Sequence, residues 1–111
     1  MYNYDTERMR QVAREITELL DANRTSGPNP TVLNQLEEYA SEFQGQGTVA
    51  SEKTQKVLGF ANEFYSDNTQ EQHTEGANFY IPRMLACADA IHTSSLRYDA
   101  NQAKREATDQ Q

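Results

Sequence analysis

The sequence predicts an all-α fold, either an antiparallel helical hairpin or a small four-helix bundle. Apolar side chains recur at spacings of three and four in four separate segments, and none alternates strictly as a half-buried strand does. Between the segments lie clusters of Gly, Pro, Asn, Ser and Thr, the residues that end helices and make turns.

In the first segment, Met9, Val12, Ile16, Leu19 and Leu20 fall on one helical face while Arg8, Arg14, Glu15 and Glu18 take the rest. A helix running from Asp5 should stop near Asn23 or Arg24, where Thr25-Ser26-Gly27-Pro28-Asn29-Pro30 forces a break. Asn29 before Pro30 reads as an N-cap followed by proline at the first helical position, where its missing N–H costs nothing. Leu33, Leu36, Ala40 and Phe43 then form the second stripe, which should end at Gly45 or Gly47. Thr48 or Ser51 caps a third helix lined by Val57, Phe60, Ala61 and Phe64, despite Gly59 within it.

Residues 66–78 hold one apolar side chain, Ala77, and read as a polar loop, a fraying helical extension or a segment ordered by a partner. Tyr80-Ile81-Pro82 should open the last helix, with Met84, Leu85, Ala88, Ile91 and Ser95 as its stripe. After Tyr98 the chain is polar, so the tail 104–111 should fray.

These segments form a single domain, 1–111, with a thin core, because Leu, Ile, Val and Phe together supply only 18 of 111 residues. A net charge of −7 argues against nucleic acid as a partner. Most of it lies between residues 25 and 82, where Lys53 and Lys56 face eight acids. No apolar stretch is long enough for a membrane span, and the first twenty residues are amphipathic and charged, unlike a cleavable signal. The lone Cys87 cannot make an internal disulfide.

Few residues suggest chemistry. Asp89 and His92, three apart on one helix, share a face as in carboxylate-bridged metal bundles, but those sites need a second such pair and further carboxylates. They read as surface residues, and Cys87, beside the core stripe, as a small buried hydrophobe. Glu37, Glu38 and Glu42 read as a solvated helix face. Gly45-Gln46-Gly47 follows a helix rather than a strand, which makes it a helix-ending turn and not a phosphate loop. No cofactor and no metal is expected, and the chain reads as non-catalytic.

Phe43-Gln44-Gly45 as an inter-helix turn resembles the signature of the small WXG-type proteins of type VII secretion, the group that includes the early secreted antigenic targets, with Phe43 in place of the Trp. Tyr4 to Leu20 is similar to that family's first helix, and Ala86 to Ile91 running into Tyr98-Asp99-Ala100-Asn101-Gln102 resembles the end of its second. Gly27 to Pro30, Gly76 and Pro82 would break the family's two long helices, and Gln102 stands where its export signal carries an acid after Tyr98.

The resemblance implies a non-catalytic protein that works by helix-to-helix association, as a secretion substrate or a cargo-targeting partner. It implies a homodimer, or a heterodimer with a related helical protein or larger cargo. The thin core agrees, since a partner helix would supply the missing apolar face. Phe43, Gly45, Ile91 and Tyr98 are the expected partner-binding residues, and the location is secreted by a leaderless route or else cytoplasmic. A different function also suits the acidity: an immunity or inhibitor protein that neutralises a basic toxin or enzyme through Glu37, Glu38, Glu42, Glu71 and Glu75.

Overall fold

The computed structural model describes residues 5–24, 28–66 and 70–109, the side chains of 70–75 and 106–109 excepted. Four helices follow one another: α1 (Thr6–Ala22), α2 (Pro30–Phe43), α3 (Val49–Phe64) and α4 (Gln70–Asp109). Of the three N-caps, Asn29 is the one the sequence points to, Thr48 is one of its two candidates, and Asp5 stands where the first helix was expected to begin. The Asp5, Asn29 and Thr48 side chains accept from the Arg8, Val32 and Ser51 amides, satisfying donors that a first turn leaves without intrahelical partners. Gly45 and Gly47 follow α2 with φ of 78° and 67°, the left-handed backbone that turns the chain into α3.

The helices run up, down, up and down. Thr6 and Arg10 meet Asp99, which sets α1 antiparallel to α4. Phe60 and Phe64 meet Tyr80 while Val49 meets Tyr98, which does the same for α3. α4 packs along both, α2 packs on α3, and α1 and α2 touch only lightly. Of the two architectures expected, this is the four-helix bundle rather than the two-helix hairpin.

Its interior is continuous. Met9, Val12, Ile16 and Leu20 of α1, Leu36 and Phe43 of α2, Val57 and Phe64 of α3, and Ile81, Met84 and Ile91 of α4 are all buried in one cluster. Among the described residues, no buried side-chain nitrogen or oxygen lacks a hydrogen-bond partner. At one end the Tyr65 hydroxyl donates to the Asn23 carbonyl at 3.0 Å and the Asn29 amide donates to the Tyr65 carbonyl at 3.0 Å, so a single tyrosine joins the ends of α1 and α3 to the start of α2.

The last helix departs from expectation at its start. It begins at Gln70, not at Tyr80-Ile81-Pro82, so the part of the polar segment 66–78 from residue 70 onward is helix, while residues 67–69 lie outside the described residues. Two features make this possible. Residue 76 packs against the Phe64 ring, which lies 3.5 Å from where a Cβ would stand, an ordinary contact distance, and Pro82 sits on the exposed side, so the Asn78 carbonyl that loses its N–H partner can be hydrated. Arg83 reinforces the spot: its Nη1 donates to the Phe79 carbonyl at 2.8 Å and its guanidinium lies 3.7 Å from the Phe79 ring centre. Of the tail 104–111, the backbone is helical as far as Asp109, and residues 110–111 lie outside the described residues. Gln, Lys, Arg, Glu and Ala are good helix formers, so α4 simply extends past the bundle.

Candidate functional site

The outer face shared by α1 and α4 carries an open groove of about 960 Å³. Small residues create it: Ala13 on α1 and Ala88 on α4 are buried where larger side chains would close the seam, and Leu85 lies beside them half-exposed. The α1 wall carries Glu7, Arg10, Arg14, Thr17 and Glu18; the α4 wall carries Asp89 and His92.

One end of the groove is fixed and the middle is not. Arg10 Nη1 donates to Asp99 at 2.8 Å and the Thr6 hydroxyl donates to the same carboxylate at 2.6 Å. The Thr6 bond first and the Arg10 bond second hold the Asp99 carboxyl below the ordinary carboxylate range. By contrast, Arg14, Glu18 and Asp89 are exposed and none takes part in an ion pair among the described residues. Opposite charges therefore stand on facing walls without meeting. Leu96, one of two large apolar side chains left in water among the described residues, is 51% exposed and follows His92 by one turn of α4. The other, Phe79, is 48% exposed and lies under Arg83.

No family model, curated protein or solved structure matches the chain.

The four expected partner-binding residues are split by the fold. Phe43 is 2% exposed and Ile91 is fully buried, so both are bundle core and could touch a partner only if the bundle opened. Gly45 is exposed with the left-handed φ expected of it. Tyr98 is half-buried, and its hydroxyl accepts from the Val49 amide at 3.5 Å, which brings it to the same end of the bundle as the Gly45 turn.

The chemistry-bearing candidates are separated as well. Cys87 is buried, and its thiol is pushed up by burial even though Lys53 and Lys56 pull the other way, which makes it a poor nucleophile. Among the described residues, no three His, Cys, Asp or Glu side chains converge as a metal site, and no helix is long and apolar enough to cross a membrane. Glu37 and Glu38 are exposed as expected, whereas Glu42 is taken up by Arg8.

Sequence reasoning passed over Arg14 and Leu96. The signal for Leu96 was available, since it falls off the stripe formed by Met84, Ala88, Ile91 and Ser95. The signal for Arg14 was not, because a lone arginine on a polar face is ordinary until the facing wall is known.

Proposed function

We propose that this chain is a non-catalytic interaction protein that works by helix-to-helix association through the α1–α4 face. The observation that carries this reading is the groove itself, in which Arg14 and Asp89, outside every ion pair among the described residues, flank a floor of Ala13, Ala88 and Leu85 and lead to exposed Leu96. Charged groups around an apolar strip suit a partner helix, whose apolar residues fill the seam and whose charges meet the walls. In the type VII reading the chain would leave the cell together with that partner. Loss of the protein from the culture medium when the secretion ATPase is deleted would support export, and unchanged release would remove it.

A second reading is favoured by Glu37 and Glu38 on α2, which are exposed and outside every ion pair among the described residues, as an inhibitor facing a basic enzyme would need. One experiment separates the two. A photo-crosslinking amino acid is placed at Leu96 or at Glu38 in the producing cells, and the adducts are identified by mass spectrometry. Adducts from Leu96 alone support the α1–α4 face, adducts from Glu38 alone support the inhibitor, and none from either position defeats both.

A further inference from the structure

We propose that the α1–α4 groove is the dock for a basic amphipathic helix of another protein, about eighteen residues long, which sets a Lys or Arg side chain between Glu18 and Asp89. The inference deepens the interaction reading above and rests on it, by naming the chemistry of the partner.

Charge is ordered along the groove. Arg10 lies beside Ser95 and Asp99, and Thr6 donates to Asp99, so α1 and α4 run past one another in opposite directions. Counted from those contacts at the common rise per residue, Asp89 stands level with about residues 16–20 of α1. Glu18 falls within that stretch and lines the same groove. Two carboxylates thus share one level on facing walls, both exposed and outside every ion pair among the described residues. Arg14, one turn of α1 nearer the Thr6 end, pairs with neither. An ammonium or guanidinium group entering at that level meets acceptors from both walls, and the net charge of −7 favours the approach of a basic segment. A second copy laid on the same face would set carboxylates against carboxylates, so the occupant has a different sequence.

The shape of the face points to a helix. Leu85, His92, Leu96 and Ala103 follow one another at intervals of 7, 4 and 7 residues, near whole numbers of turns, so they lie along one line of α4. Leu85 is half-exposed and the other three are exposed. The line is about 27 Å long. α1 flanks it only as far as Thr6, beside Asp99, and its end at Ala103 runs onto the part of α4 that extends past the bundle. A straight ridge with helical spacing, beside a seam kept shallow by Ala13 and Ala88, is matched by another helix. Asp89 and Leu96 are seven residues apart, so the partner's basic residue should stand about two turns from the apolar side chain that covers Leu96.

The test uses two fluorescent peptides of about eighteen residues, each held helical by a lactam bridge. They share one face of Ala and Leu and differ only in carrying Lys or Glu two turns from a central Leu. Their binding to the purified full chain is followed by anisotropy at about 0.15 M salt. The Lys peptide should bind on the order of tenfold or more tightly than the Glu peptide. Glu18→Lys with Asp89→Lys should reverse that preference, and Glu37→Lys with Glu38→Lys, the same change of charge on α2, should keep it. All four positions are exposed, so circular dichroism melts should show both variants folded. Equal binding of the two peptides, no binding of the Lys peptide, or an equal loss in the Glu37 and Glu38 variant overturns the proposal. Such a result together with an adduct captured through Leu96 in cells would refute the basic helix and leave the interaction reading standing.

Discussion

Arg8 grips Glu42 with two parallel hydrogen bonds, Nε to one carboxylate oxygen at 2.7 Å and Nη2 to the other at 2.8 Å. The pair ties the first turn of α1 to the end of α2, neighbours that otherwise touch only lightly. Both side chains are about a third exposed, at 31% and 36%, so water and salt screen much of the attraction. Glu42→Gln should therefore cost about 0.5–1 kcal/mol in low salt and less in high salt, as measured by urea unfolding at two ionic strengths. Arg8→Lys should lose most of the same amount, because an ammonium cannot match the two-pronged geometry.

Phe43 separates a structural from a functional role for the α2–α3 turn. It is 2% exposed within the single chain, so Phe43→Ala should lower stability by about 3–5 kcal/mol and broaden or abolish the thermal transition of the isolated protein. A variant that melts like the wild type would show that the ring is not core and would return it to the partner-binding residues.

Two glycines should respond in opposite directions. Gly45 has nothing within 4 Å of where a Cβ would stand, yet its φ of 78° strains any L-residue, so Gly45→Ala should cost about 1 kcal/mol through the backbone alone. Gly59 lies inside α3 with equally open space and no positive φ, so Gly59→Ala should stabilise by up to about 1 kcal/mol. Denaturation midpoints of the two variants, compared with the wild type, decide both signs.

Tyr65 should make the protein sensitive to alkali. Burial pushes its phenol up to about 12, while in the unfolded chain it ionises near 10. A folded-state value above the unfolded one means that this contribution to stability is complete below pH about 10 and is lost as pH rises towards about 12. Tyr65→Phe should flatten that part of the stability profile. It should also cost about 1 kcal/mol at neutral pH, by removing the hydrogen bond to the Asn23 carbonyl. A profile as steep as the wild type's would assign the sensitivity to another group.

The caps and core faces were readable because they depend on local chemistry. Asp5, Asn29 and Thr48 cap their own helices, and the stripes through Met9, Leu36, Val57 and Met84 are set by spacing within each helix. The start of α4 was not readable, because the evidence for it is tertiary: residues 70–78 leave loop, helical extension and partner-ordered segment open until Phe64 of α3 is brought beside Gly76. Pro82 then misled in the ordinary direction, since a proline most often marks a first turn, and only its placement on the exposed side lets the helix continue. The groove was hidden for the same reason. Arg14 and Asp89 are 75 positions apart, and nothing local to either shows that α1 and α4 face each other in antiparallel order.

The forty-residue α4 is more than twice as long as any helix it packs against, and Ala100 to Arg105 are all exposed. The Cα radius of gyration is accordingly 16.1 Å, where a globule of this chain length would have about 13 Å. Frictional drag follows shape as well as mass. A rod-like body of 61 × 22 × 16 Å tumbles and diffuses more slowly than a sphere of equal weight, so a single copy will elute from a gel-filtration column early, in the position of a heavier compact protein.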